Sequence, residues 1–246
     1  MKNSFAELVF IIDRSGSMSG LEEDTIGGFN SMLKQQQGVD GEAAVTTVLF
    51  DDQYELLHDR VNIHEVVPLT RKDYTARGST ALLDAIGRTI HNIRKVQREV
   101  DKEHRAEKVI FFILTDGQEN ASRHYTASMI QQRIEHQKKK YGWEFLFFGA
   151  NMDAIAEAAK IGIGADRVQE YCADSIGTAS VYTSISAMST SFRTGDSILL
   201  KQSGSSVNDA PQSAQVAFRK LRTAMKGLKE AADEMCAKFS DLIVVD

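Results

Sequence analysis

The stretch that decides the fold is FIIDRSGSMSG, residues 10–20, in which an apolar run stops abruptly at an acid. Asp13, Ser15 and Ser17 then place oxygen atoms at alternate positions, with glycines among and after them. Turns use these residue types, because Asp, Ser and Gly favour tight backbone conformations. A cation site uses them too, because hard cations such as Mg²⁺ prefer oxygen ligands. The rest of the chain has to distinguish the two interpretations.

Apolar runs of this kind recur along the chain and are separated by amphipathic segments. The runs predicted as strands are ELVFII (7–12), KVIFFILTDG (108–117) and WEFLFFGAN (143–151), and a hairpin with a solvated tip is predicted around Asp51 and Asp52. Helices are predicted at 21–37, 80–104, 126–140, 152–160 and 174–193, and GIGADR (162–167) is interpreted as a turn. Near-continuous apolar strands alternating with helices indicate a parallel sheet covered on both faces. We therefore predict an α/β, Rossmann-like, doubly wound fold with a mostly parallel central sheet flanked by helices.

The chain beyond this pattern divides into a linker and a helix. Residues 194–211 are rich in Gly, Ser and Asp and are predicted to be a linker. Residues 212–244 are predicted to form a C-terminal amphipathic helix, because their apolar residues recur at alternating spacings of three and four. The apolar stripe contains Phe218, Leu221, Met225, Leu228, Ala232, Met235, Phe239 and Leu242. Two interpretations stay open: the helix folds back onto its own domain, or it docks onto a partner or a second copy.

Composition limits the classes of partner. The chain has 246 residues, with 29 basic and 34 acidic residues and a net charge of −5, which argues against nucleic acid or an anionic membrane as a partner. Its two cysteines, Cys172 and Cys236, form no zinc motif and are expected to be reduced thiols. The longest apolar runs are far shorter than the ~20 residues that span a membrane. The first residues lack the apolar core of a signal peptide. The sequence therefore predicts a cytoplasmic location.

Two further segments carry oxygen donors at the expected ends of elements. Thr80 lies just before a predicted helix, and Asp116 ends a predicted strand. Because ligand sites of parallel sheets lie at the carboxyl ends of the strands, we expect these residues to meet Asp13, Ser15 and Ser17. Two carboxylates and three hydroxyls suit Mg²⁺, with Mn²⁺ or Ca²⁺ as alternatives. Two negative charges only neutralise a divalent cation, so the arrangement favours capture of an outside carboxylate.

These segments resemble the metal-ion-dependent adhesion site (MIDAS) of the von Willebrand factor A (vWA) domain family. That motif is D-x-S-x-S, a distant Thr and a later Asp, all at strand ends of a Rossmann-like sheet. The matching residues are Asp13, Ser15, Ser17, Thr80 and Asp116, with Gly78 and Ser79 before the Thr and Gly117 after the last Asp. The resemblance covers roughly residues 5–193, which we predict to be one vWA domain of the intracellular bacterial type.

The resemblance implies a role for each matched residue. The three hydroxyls would contact the cation directly, the two acids would hold it through water or directly, and a carboxylate from a protein ligand would complete the shell. Residues near the motif in sequence are candidates for a rim that selects the ligand: Arg14, Glu119, Asn120, Arg123 and His124.

The expected function is a non-enzymatic, Mg²⁺-dependent module that captures an acidic residue of a partner protein. One alternative is a metal-dependent phosphoester hydrolase, because the same oxygens could hold Mg²⁺ against a phosphate. The lack of a histidine next to Ser15 or Ser17 in sequence counts against it. A metal-free structural subunit is the other alternative.

Overall fold

The computed structural model describes residues 5–101 and 105–195. Within them the strands are β1 (Ala6–Asp13), β2 (Ala43–Phe50), β3 (Tyr54–Asn62), β4 (Lys108–Thr115), β5 (Glu144–Ala150) and β6 (Val168–Tyr171). The α-helices are α1 (Glu22–Gln37), α2 (Leu82–Glu99), α3 (Ala127–Tyr141), α4 (Ala154–Lys160) and α5 (Ser175–Thr194). The predicted helix 212–244 and residues 196–211 of the predicted linker lie outside the described residues, as does Cys236.

The strands form one sheet in the order β3-β2-β1-β4-β5-β6. Every neighbouring pair is parallel except β2 and β3, which form the predicted antiparallel hairpin. The predicted α/β, doubly wound, mostly parallel sheet is therefore confirmed. β6, the edge strand that follows a short 3₁₀ helix at Ala165–Arg167, is not predicted from the sequence. Its residues are only partly buried or exposed, so no apolar run marks it.

Alternate residues of the central strands pack into two separate cores, one on each face of the sheet. Leu8, Phe10 and Ile12 of β1 pack in the core that contains the apolar residues of α1 and α5. Val9 and Ile11 face the other way and join the core of α2, α3 and α4. Both faces of the sheet are thus buried, which explains the near-continuous apolar runs. Among the described helices, none is long and apolar enough to cross a membrane.

Helices α1 and α5 approach each other closely on one face. A Cβ added at Gly28 would lie 2.3 Å from the ring of Tyr182, so only glycine allows this packing. At the far end of α5, Arg193 donates hydrogen bonds to the carbonyl oxygens of Gln36 (2.5 Å) and Val39 (2.8 Å). The guanidinium therefore links the end of α5 to the end of α1 and to the segment that follows it.

Candidate metal centre

The first motif begins where β1 ends. Asp13 is fully buried, and its carboxylate accepts hydrogen bonds from the backbone N–H of Ser15 (2.7 Å) and from the hydroxyl of Thr115 (2.6 Å). Thr115 is the last residue of β4, the strand that pairs with β1. The carboxylate of Asp13 thus stabilises the turn after β1 and connects that turn to the end of β4.

The predicted hydroxyls converge beside the second acid. Ser15 Oγ and Ser17 Oγ lie 3.0 Å apart, and Ser17 Oγ donates to Asp116 Oδ1 at 2.5 Å. A Cβ built on Gly117 would lie 3.1 Å from Ser17 Oγ, 3.2 Å from Thr80 Oγ1 and 3.9 Å from Ser15 Oγ. The three hydroxyls therefore surround one small region at the carboxyl edge of the sheet, and Gly117 leaves that region open.

Burial disfavours the charged form of both carboxylates, Asp13 and Asp116. Removal from water raises the pKa of Asp13 to about 6, against the opposing effect of hydrogen bonds from Thr115 and Ser15. Burial likewise raises the pKa of Asp116, although Ser17 donates to it. Asp116 Oδ2 is buried and has no hydrogen-bond partner. A buried, unpaired carboxylate oxygen is costly, and a bound cation would relieve that cost, so the residues present fit a divalent metal ion.

The donor set is poor in carboxylates. Among the described residues, no three His, Cys, Asp or Glu side chains come together as a metal-binding group. The candidate centre instead combines Asp13 and Asp116 with hydroxyl oxygens. Donor sets made only of oxygen suit Mg²⁺, Mn²⁺ and Ca²⁺ better than soft metals.

Thr80 is placed by the segment that joins β3 to α2. The hydroxyl of Tyr74 donates to the carbonyl oxygen of Asp13 at 2.5 Å, and the N–H of Gly16 donates to the carbonyl oxygen of Gly78 at 3.1 Å. Gly78 has a φ of +68°, a left-handed conformation that glycine adopts without strain. The segment is therefore fastened to the D-x-S-x-S turn just before it reaches Thr80.

Glu119 and Asn120, which the sequence predicts as rim residues, anchor this segment through hydrogen bonds. The carboxylate of Glu119 accepts hydrogen bonds from the N–H groups of Leu83 (2.8 Å) and Ser122 (2.7 Å), among others. Asn120 Oδ1 accepts from the N–H of Thr80 at 2.9 Å, and its own N–H donates to the carbonyl oxygen of Thr80 at 3.0 Å. Glu119 thus caps the start of α2, and Asn120 holds the backbone of Thr80.

Replacing Glu119 with alanine should lower the free energy of unfolding by about 1–3 kcal/mol, because a carboxylate that accepts several hydrogen bonds is lost and partly buried N–H donors are left unpaired. The Mg²⁺ affinity should fall as well, because the Thr80 segment loses its support. Urea unfolding and calorimetric Mg²⁺ titration measure the two effects. Glu135→Ala, on the exposed face of α3, is the control and should cost no more than about 0.5 kcal/mol. Equal costs for the two variants would contradict the anchoring role.

Arg14 does not lie on the surface, contrary to the predicted rim. Its side chain is buried and pairs with Asp51 at 3.2 Å and with Glu55 at 2.7 Å. Asp51 is itself fully buried, which corrects its predicted place at a solvated tip, whereas Asp52 is exposed as predicted. Burial alone would raise the pKa of Asp51, but hydrogen bonding from Arg77 and Gln53 and the charge of Arg14 hold that pKa below its usual value. A buried guanidinium requires such carboxylate partners.

The remaining rim candidates, Arg123 and His124, are exposed. Their backbone N–H groups each donate to the carboxylate of Asp84 at 2.9 Å, which fixes the loop on α2. A direct role of either side chain in ligand binding stays a prediction.

Sequence reasoning missed two residues that support the centre. Thr115 had a usable signal, because it is a polar residue at the end of a buried run and directly precedes Asp116. Tyr74 had none, because it lies 61 positions from Asp13 in a segment without regular structure.

The comparisons with known proteins find structural similarity only. No family model and no curated protein sequence matches the chain. Proximal thread matrix protein 1 from the mussel byssus, in a structure with a zinc-occupied MIDAS motif, has 15% identity and a TM-score of 0.52 over 76% of this chain and 46% of its own. A von Willebrand factor type A structure from Catenulispora acidiphila has 16% identity and a TM-score of 0.52 over 76% of this chain and 43% of its own.

A third similar structure covers almost all of its own chain. The vWF domain of the type V pili tip protein Mfa5 from Porphyromonas gingivalis has 10% identity and a TM-score of 0.52, over 75% of this chain and 96% of its own. The match thus spans less than half of the mussel and Catenulispora chains but nearly the whole Porphyromonas domain. These similarities show that the chain has the vWA fold.

Proposed function

We propose that this domain is a non-enzymatic protein-binding module that holds Mg²⁺ and captures a carboxylate of a partner protein. The cation would be held by Asp13, Ser15, Ser17, Thr80 and Asp116. The observation that carries this proposal is the convergence of three hydroxyls beside a buried carboxylate oxygen that has no hydrogen-bond partner. A cytoplasmic, bacterial setting and docking through the stripe of Phe218, Leu221, Met225 and Leu228 stay predictions from the sequence.

The chain's own residues leave the centre able to accept an external anion. Asp13 and Asp116 carry two formal charges, so a bound divalent cation is only neutralised and still attracts another negative oxygen. Ser17 is exposed, so the centre is reachable from solvent. A bound cation would act as a Lewis acid that holds an anionic oxygen.

The arrangement of the serines supports a binding role over hydrolysis. Within the described residues, the hydroxyls of Ser15 and Ser17 bond to each other and to Asp116, and neither bonds to a histidine or lysine. A serine nucleophile needs such a base within hydrogen-bond reach. We expect no release of phosphate from generic phosphate esters when Mg²⁺ is added. Turnover that disappears in the Asp13→Asn variant would instead support the hydrolase.

Acetate provides a direct test of carboxylate capture. If a carboxylate completes the coordination shell, binding of acetate and of Mg²⁺ must strengthen each other by the same factor. Calorimetric Mg²⁺ titrations in sodium acetate and in sodium chloride of equal ionic strength should therefore give a tighter dissociation constant in acetate. Equal constants in both salts would argue against capture of a carboxylate while leaving the metal site intact.

The Mg²⁺ affinity should depend on pH through Asp13. With a pKa of about 6, this group is mostly protonated at pH 5 and mostly ionised at pH 7. Because the cation binds the ionised form, the affinity should fall about tenfold between pH 7 and pH 5. In the metal-free protein the raised pKa acts on stability instead: Asp13 contributes fully to folding below its usual pKa of 3.8, and this contribution is lost as the pH rises through about 6. Calorimetry at pH 5, 6 and 7 measures the first effect, and a constant affinity would contradict it.

A further inference from the structure

A large open cavity adjoins the metal centre. It has a volume of about 1100 Å³ and is lined by Ser79 and Asn120, which lie beside Thr80. Residues of both α2 and α3 line it as well, including Arg88 and Arg133. The cavity therefore leads from the edge of the candidate metal centre to the surface formed by these two helices.

The cavity lining carries more positive than negative charge. Its basic side chains are those of Arg88, Arg123 and Arg133, with His124 beside them. One of its two acids, Asp84, is already engaged by three backbone N–H groups at 2.8–2.9 Å. Burial tends to raise the pKa of Asp84, but these hydrogen bonds outweigh it and lower that pKa. Asp84 therefore holds the loop, and the three arginines of the lining still outnumber its two acids.

None of these three arginines is neutralised by a carboxylate of the described residues, and two of them are oriented by an aromatic ring. Within the part of the chain that the structure describes, Arg88, Arg123 and Arg133 make no ion pair with a carboxylate. Arg88 lies 4.3 Å above the ring of Tyr54, and Arg133 lies 5.1 Å above the ring of Tyr125. Stacking on an aromatic face holds a guanidinium in place and leaves its N–H donors free for an anion.

The basic surface continues along the two helices. Two smaller cavities, of about 370 and 320 Å³, adjoin there, and Arg94 lines both of them. The larger one shares Arg133 with the main cavity. Arg94 Nε is buried and has no hydrogen-bond partner. We name Arg88, Arg94, Arg123 and Arg133 the arginine lane.

We propose that the arginine lane binds an acidic polypeptide segment of the partner, next to the carboxylate held at the metal centre. The inference deepens the proposed function and rests on it. A polypeptide is favoured over nucleic acid because the lane begins beside a centre whose expected ligand is a carboxylate. A run of Asp or Glu side chains would supply planar carboxylates, which match the paired N–H donors of guanidinium groups. The lane would thus select partners by the residues that flank the captured one.

A labelled octaglutamate peptide tests this proposal on the full chain. Fluorescence anisotropy at low salt should show binding, and the Arg88→Gln/Arg133→Gln variant should bind about tenfold more weakly. The matched control is Lys34→Gln/Lys72→Gln, which removes the same charge from exposed positions outside the lane and should bind like the parent. Added salt should reduce the difference, because it screens exposed charges. An equal loss of octaglutamate affinity in the two variants would overturn the proposal that the arginine lane binds the peptide.

Two further measurements separate the possible failures. A single-stranded oligonucleotide of equal charge that binds the lane more tightly than octaglutamate would overturn the assignment to an acidic polypeptide. Calorimetric Mg²⁺ titration of the parent and both variants reports the metal centre independently. If Mg²⁺ binds but the peptide affinity does not depend on the lane arginines, the proposal for the arginine lane is wrong and the proposed metal centre stands. Lane-dependent peptide binding without any Mg²⁺ binding would reject the centre and keep the lane as an acid-binding surface.

Discussion

Mg²⁺ should raise the unfolding temperature of the parent protein and leave that of the Asp13→Asn variant unchanged. A ligand that binds only the folded state adds about 2.7 kcal/mol when its concentration is 100 times the dissociation constant. The substitution removes one of the two charges of the candidate centre, so we expect the affinity to fall at least about 100-fold. Thermal unfolding with and without Mg²⁺ measures the difference.

The variant should fold, which makes its loss of metal binding interpretable. Burial already disfavours the charged form of Asp13, and asparagine keeps an oxygen that can accept the hydrogen bond from the N–H of Ser15. The metal-free variant should therefore be about as stable as the metal-free parent. Asp59→Asn, which removes one charge from an exposed position on β3, is the control and should respond to Mg²⁺ like the parent. An unchanged Mg²⁺ response in Asp13→Asn would remove Asp13 from the centre.

Replacing Phe112 with alanine should lower the free energy of unfolding by about 3–5 kcal/mol. Phe112 is fully buried in β4, where its ring stacks on Phe10 at 5.2 Å and lies 6.5 Å from the ring of Phe148. Its removal would leave a cavity between the sheet and the helices of that face, where side chains of the neighbouring strands pack around the ring. Urea unfolding of the metal-free protein measures the loss.

An exposed apolar residue provides the comparison for Phe112. Val67 is 68% exposed in the segment after β3, so Val67→Ala should change the unfolding free energy by less than about 0.5 kcal/mol. A loss below about 1 kcal/mol for Phe112→Ala would mean that the aromatic layer between β1, β4 and β5 is not the source of stability that the burial indicates.

The sequence predicts best those elements whose burial in the core gives them a clear apolar pattern. β1, β4 and β5 are buried on both faces, so their apolar runs are almost unbroken, and the helices beside them keep a clear apolar stripe. β6 escaped prediction because an edge strand of four partly exposed residues has no such run. The predicted helix 80–104 ends at Glu99, because Val100 adopts an extended conformation.

The candidate centre was predictable where short motifs fix chemistry and position together. Asp13, Ser15, Ser17, Thr80 and Asp116 carry oxygen donors at strand ends or before a helix, and the structure brings them together. The rim was harder to predict, because adjacency in sequence does not say where a long side chain points. The side chains of Glu119 and Asn120 bind backbone N–H groups of the neighbouring segment. Arg14 turned into the protein because the buried carboxylate of Asp51 lies within its reach.

Isothermal titration of Mg²⁺ into the chelator-treated parent protein tests most directly whether the strand-end oxygens hold a metal ion. We expect a one-site isotherm, with one Mg²⁺ per chain and a matching rise in the unfolding temperature. An absence of both heat and any shift in unfolding temperature at millimolar Mg²⁺ would contradict it. The domain would then be a scaffold with the vWA fold whose strand-end oxygens bind each other instead of a metal.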